Sequence, residues 1–204
     1  MIKLALLAGI LGHLLCGASD CLLGYSRKGW LNMKNLSDPE KMSEMFADMP
    51  EKFPLASILL GTFAIALFGL GYLGLSVWIS AYSAAASVVM FIASAAYLVP
   101  ITAHHVLFGA IEWLYLRLGR TSAAREAVLG LQKKTIAPMF AGYAGLLMFV
   151  VTLFAAVVSG STPLPAWACV FNTLVVMVLL LPTKLPAKGN IAGAVMFLGL
   201  MFLA

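Results

Sequence analysis

His13 and Asp20 interrupt one long apolar segment of this chain, and His104, His105 and Glu112 interrupt another. Ionisable side chains in such surroundings are costly and usually serve a purpose. A neutral imidazole beside a desolvated carboxyl can move a proton, with the carboxyl as acid and the imidazole as base. On this reading His104, His105, Glu112 and Asp20 are the candidate catalytic residues. His13, Asn172, Tyr25 and Trp113 are the candidate ligand contacts. Plainer roles stand beside these. Asp20 would pair with a loop cation such as Arg27, Glu112 would snorkel to an interface, the histidines would be packing groups, and Asn172 would tie two helices together. His13, His105 and a carboxylate could also ligate a metal, but no HxxxH or HExxH spacing occurs, so no metal is assigned. A bis-His haem from His13 with His104 or His105 is the other arrangement considered, and no cofactor is assigned.

The elements that carry these residues follow from composition. The 204 residues are 62% hydrophobic and only 10% charged, where a soluble domain is nearer about a quarter charged. The apolar runs are continuous and do not alternate, which disfavours an outer-membrane barrel. The expectation is an all-α, polytopic membrane helix bundle forming a single domain over residues 1–204. The net charge of +5 reflects loops between spans and does not indicate nucleic acid. Cys16, Cys21 and Cys169 all lie in apolar segments and indicate neither a disulfide framework nor a thiolate metal site. The first segment begins like a signal peptide but runs too long for one, and is read as a retained span.

Six spans are predicted, over about 3–24, 54–77, 83–118, 135–158, 165–182 and 189–204. The third is about 36 residues, or roughly 54 Å at helical rise, and is expected to kink near Pro100. Counting it as one crossing puts every Lys and Arg except Lys3 on one side. The positive-inside rule then predicts an inner-membrane protein with both termini outside and the basic loops in the cytoplasm. Ser37-Asp38-Pro39-Glu40 reads as a capping box opening a short amphipathic cytoplasmic helix over 37–49. Its apolar face is Met42, Met45, Phe46 and Met49, which would rest on the bundle or form a Met-rich lid.

Two polar stripes then emerge. Gly9, His13, Cys16, Asp20 and Gly24 share a face of span one, and Thr102, His105, Gly109 and Glu112 share one of span three. Depths measured from Arg117 match Asp20 with Glu112, and His13 with His105 and Asn172. The predicted site is therefore one polar pocket open toward the cytoplasm.

Asp20-Cys-Leu-Leu-Gly-Tyr25 with Gly29 and Trp30, then Met49-Pro50 and Ser57-Ile-Leu-Leu-Gly61, resembles an uncharacterised family of small bacterial integral membrane proteins. Its pattern is an Asp-x-x-Leu-Gly-Tyr opening, a cytoplasmic loop, a Ser-x-x-Leu-Gly start to the second span, and a His in the third, here His104 or His105. The resemblance implies a membrane location and a shared site around Asp20 and the His pair, and no activity. The inventory of His, Glu, Asp, Asn and Trp is also similar to that of sterol-isomerase-like membrane proteins, without a shared spacing. The paired late-helix His of ceramidase-like membrane hydrolases is missing.

The expected function is a pocket for a small amphipathic or lipid-like molecule, with isomerase-like acid–base chemistry as an extension that would make the protein an enzyme. A small proton-linked transporter or channel and a structural or partner-binding subunit are the alternatives. The expected partners are membrane lipids and a small hydrophobic ligand, with room for a homo-oligomer and no nucleic acid. Arg125→Cys is expected to react with a membrane-impermeant maleimide only after cells are opened; labelling in intact cells would overturn the orientation.

Overall fold

The structure is a computed structural model that describes residues 1–24, 31, 35–36 and 38–204. Tyr25, and with it Arg27, Lys28, Gly29, Trp30, Lys34 and Ser37, lies outside the described residues. The described chain is helical: α1 (Ile2–Leu23), α2 (Pro39–Met45), α3 (Lys52–Ile79), α4 (Ala84–Arg117), α5 (Ser122–Lys134), α6 (Ala137–Val158), a 3-10 turn (Ala166–Phe171), α7 (Thr173–Leu180) and α8 (Lys188–Leu203). By length and composition α1, α3, α4 and the α5–α6 run are apolar enough to cross a membrane. The sequence expected a continuous fifth span; the chain there is the 3-10 turn followed by the 8 residues of α7. Asn172 makes that break. Its Oδ1 accepts from Leu174 N at 3.0 Å to cap α7, and its Nδ2 donates to Val150 O of α6 at 2.8 Å.

The long helices α1, α3, α4 and α6 pack as neighbours in chain order, and a short turn joins α3 to α4. Around the bundle axis the order is α1, α3, α4, α6, the 3-10 turn with α7, then α8, which returns to α1. Tyr72 of α3 stands where they converge. Its ring meets His13 of α1, Tyr97 of α4, Phe149 of α6 and Phe197 of α8 edge-on, at centroid distances of 5.8, 5.3, 4.8 and 5.0 Å. Edge-to-face pairs each add about 0.5–1.5 kcal/mol beyond area burial. Leu6, Leu75, Met90 and Met196 close the core around this layer.

Small residues set the helix spacing. Gly145 of α6 lies on the α4 backbone, where a Cβ would come within 2.6 Å of Ala96 C and Tyr97 N. That contact falls one turn before Pro100, through which α4 runs unbroken.

Both ends of α4 are specified locally. Ser83 Oγ accepts from Ala86 N at 3.3 Å. At the other end Gly119 has φ 71° and Arg120 φ 57°. Their amides bond back to Leu116 O and Tyr115 O at 3.0 Å each, a Schellman stop that turns the chain into α5. The 34 residues of α4 span about 51 Å at helical rise, well beyond a hydrocarbon core of about 30 Å. The overhang nucleates a second apolar cluster at the basic end, where Met42, Phe46 and Met49 pack on Ile111, Tyr115, Ala124 and Val128. Of the amphipathic 37–49 stretch, residues 38–49 form α2 plus a turn, docked on the bundle. Asp38 is the N-cap, accepting from Glu40 N and Lys41 N at 3.1 Å. The backbone N–H of Lys41 is foremost in holding its carboxyl below the usual range. α5 was expected as loop. Thr121 caps it, accepting from Ala124 N at 3.2 Å, and Ala124 and Val128 supply its buried face.

Gly145→Ala is expected to cost about 1–3 kcal/mol by overpacking against backbone that has no room to yield. Gly130→Ala, where an added Cβ meets nothing within 4 Å, is expected to stabilise α5 by up to about 1 kcal/mol. Thermal unfolding of the two variants in detergent checks the opposite signs.

Candidate functional site

Span one brings His13 and Asp20 to one face, two helical turns apart, and α8 bridges them. Asn190 Nδ2 donates to Asp20 Oδ2 at 2.7 Å, and Asn190 Oδ1 lies 2.9 Å from His13 Nδ1. Because the amide oxygen can only accept, His13 carries its proton on Nδ1 and donates. His13 Nε2 is then a lone pair, and the Tyr72 hydroxyl donates to it at 3.2 Å. His13 also stacks on Phe68 at 4.3 Å with an interplanar angle of 6°.

The second half of the site joins α1, α3 and α4. Ser19 Oγ donates to Ser57 O, and Ser57 Oγ donates to Ser19 O, each at 2.9 Å. Both hydroxyl protons are spent in this reciprocal lock. His105 Nε2 sits 3.1 Å from Ser19 Oγ and 3.1 Å from Ser57 O. It faces only lone pairs there, so Nε2 bears a proton and donates. His105 Nδ1 then points at Asp20 Oδ1, 3.7 Å away. That separation is long for a hydrogen bond and close enough for an ion pair. Asp20 Oδ1 and His105 Nδ1 thus face one another at the junction of α1 and α4. His105 fits this corner only because residue 61 is glycine; a Cβ there would run into the imidazole.

Beside the pair lies a cavity of about 510 Å³, walled by α1, α3, α4, α6 and the 184–190 segment. Asp20, His104, His105, Asn190, Tyr97 and Tyr143 supply its polar surface. α7 packs mainly on α8 and touches α6 only marginally. On the basic half, Tyr143 of α6 and Leu185 are both exposed, and both line the cavity. The cavity therefore opens sideways between α6 and the chain leading into α8. At the other end the Tyr72 layer seals the bundle.

The structure gathers Asp20, His105, His104 and His13, the last one layer deeper behind Asn190. It pairs Asp20 with His105, where the sequence paired Asp20 with Glu112 and His13 with His105. The error lies in using Arg117 as the membrane edge. α4 is longer than a span requires, and the residue it brings to Asp20 is His105. Glu112 sits instead beneath the basic-end cluster, 2% exposed, with neither carboxylate oxygen bonded to any described residue. Asn172 is a helix cap buried away from the cavity. Trp113 is half-buried and does not line the cavity, and Tyr25 is outside the described residues. Ser19, Ser57, Tyr72 and Asn190 were missed. Ser19 and Ser57 flank or open the quoted motifs, which was a usable signal. Asn190 lies at the basic start of α8, level with Asp20, and only the antiparallel packing of the two helices reveals it.

These features define an all-helical protein of membrane-spanning character with a one-ended polar cavity. Its family model covers residues 1–203, and the chain belongs to that family, a family of unknown function, DUF6796. No curated protein and no solved structure matches the chain.

Asn190→Ala strands the His13 N–H and removes the donor to Asp20, and is expected to cost about 2–4 kcal/mol. Tyr72→Phe removes one neutral bond and is expected to cost about 1 kcal/mol. Denaturant unfolding in mixed micelles checks the ranking; equal losses would contradict the bond directions given above.

Proposed function

We propose that the protein binds a small amphipathic or lipid-like molecule in the cavity, and that Asp20 and His105 act on it as an acid–base pair. The observation that carries this reading is the pair itself, 3.7 Å apart and beside about 510 Å³ of open volume. Pockets of roughly 300–1,000 Å³ with few convergent polar groups are the usual setting for small ligands. In this reading Asp20 Oδ1 and His105 Nδ1 exchange a proton with the ligand. Ser19 and Ser57 orient the imidazole, and Asn190 holds the other carboxylate oxygen. The chain crosses the inner membrane six times with both termini outside, and the cavity opens toward the cytoplasmic half.

A proton-linked transporter is the second reading, favoured by the bonded series Tyr72–His13–Asn190–Asp20. That series runs into the aromatic layer around Tyr72, which makes it a support for Asp20 more than a path between faces.

Native mass spectrometry of the purified protein is expected to find a bound amphiphile that Asp20→Asn and His105→Ala lose. The reading fails if both variants keep the wild-type bound species and stability.

A further inference from the structure

Tyr97 is 7% exposed and lines the cavity. Its ring is fixed by Phe68 at 5.9 Å and Tyr72 at 5.3 Å, yet its hydroxyl bonds to no described residue. Buried tyrosine hydroxyls usually find a partner. On the same face of α4, two turns on, His104 lines the cavity without a hydrogen bond to a described residue, and Tyr143 does so from α6. The α4–α6 side of the cavity thus carries three polar tips with open bonding capacity, in the same cavity as Asp20 and His105.

The charges around the cavity select among head groups. Among the described residues the only cations lining it are Lys184 and Lys188, on the segment at its mouth. The Lys188 ammonium is already bonded to Leu181 O at 3.0 Å and Thr183 O at 2.6 Å. No described residue would therefore give an anionic head beside Asp20 a buried counter-charge. A cationic head would want open aromatic faces, and of the cavity's rings Tyr143 stands exposed at the side opening while the α3 rings are covered. Phe68 is stacked by His13 on one side and Tyr97 on the other, and Tyr72 is ringed by Tyr97, Phe149 and Phe197. Asp20 Oδ2 is also occupied, by Asn190.

We propose that the cavity selects an uncharged amphiphile by a hydroxyl or carbonyl oxygen on its head, held between the Tyr97 hydroxyl and the Asp20–His105 pair. The apolar chain leaves past Tyr143 and Leu185 through the side opening. This specificity rests on the cavity reading above and adds the chemical class of ligand. Tyr97 is a recognition residue in it, and His104 and Tyr143 are secondary contacts.

The test uses the full chain in lipid nanodiscs and three diazirine probes with matched twelve-carbon chains, ending in an alcohol, a carboxylate or an ammonium group. Labelled sites are mapped by peptide mass spectrometry. The alcohol is expected to label α4 between 97 and 108 and α6 near 143–146, to be displaced by 2-dodecanone, and to exceed both charged probes by about tenfold, the equivalent of roughly 1.4 kcal/mol. Tyr97→Phe, which keeps the ring packing, is expected to lower alcohol labelling about fivefold at unchanged thermal midpoint, the loss of one hydrogen bond. A charged probe that labels the cavity as well as the alcohol overturns the head-group class and leaves the cavity reading standing. Wild-type labelling in Tyr97→Phe overturns the role of Tyr97. Failure of all three probes to label the cavity overturns both readings.

Discussion

A carboxylate placed in an apolar helix has to be satisfied, and the satisfaction of Asp20 organises the rest of the molecule. Asp20 takes its donor from Asn190 on α8 and its ionisable neighbour from His105 on α4. Because the carboxylate accepts from the Asn190 amide nitrogen, the amide oxygen must turn to His13. That fixes the His13 tautomer, which in turn fixes the direction of the Tyr72 hydroxyl. One acid therefore sets the sense of three hydrogen bonds across α1, α3 and α8. Hydrogen bonds to charged groups contribute about 1.5–3 kcal/mol and neutral ones about 1. The larger effect is the cost of stranding a buried member, His13 above all, which is 2% exposed.

Steric room makes this network reachable. Each of three central rings stands opposite a residue with no side chain. His105 rests on Gly61, His13 on Gly193, and Phe197 on Gly9 and Gly71. A Cβ at any of these positions would collide with the ring or its neighbouring backbone. The glycines that sequence inspection reads as generic helix-packing residues are thus individual sockets. They let the imidazoles approach the axis while the helices remain close. The same approach packs Tyr72, Phe149 and Phe197 into a layer that shuts one end of the bundle, so the space beside Asp20 opens only toward the basic end and the side.

What the sequence made legible was the content of single helices. The Gly9–His13–Cys16–Asp20 stripe of α1 and the His105–Gly109 stripe of α4 face inward as their spacing requires, and the four longest apolar runs are helices close to their expected bounds. Relations between helices were less legible. The register of α1 against α4 was taken from Arg117, and the overhang of α4 moved the partner of Asp20 from Glu112 to His105. Asn190 sits among small residues at a helix start and acquires meaning only through its antiparallel neighbour. α5 escaped notice because its apolar face is narrow and its remaining residues are mostly small or charged, like those of a loop. The break at Asn172 was hidden because an apolar run looks the same whether it forms one helix or a 3-10 turn followed by a short helix.

The overhang of α4 also joins the two halves of the structure. His104 and Phe108 line the cavity, and with Gln132, Thr135 and Ile136 they bound a small gap beneath the α5–α6 junction. One turn further on, Ile111 and Tyr115 carry the α2–α5 cluster. The polar wall of the cavity and the platform for that cluster are therefore successive faces of one continuous helix. A rigid element of this kind makes the position of His104 and His105 depend on two sets of contacts. Ser19, Ser57 and Gly145 hold it from the bundle side, and Phe46 and Arg120 hold it from the basic end, the latter through Tyr115 and Ser43. Placement of His104 and His105 is in this sense a property of the whole of α4, and the amphipathic segments outside the bundle contribute to it as directly as the helices that form the cavity wall.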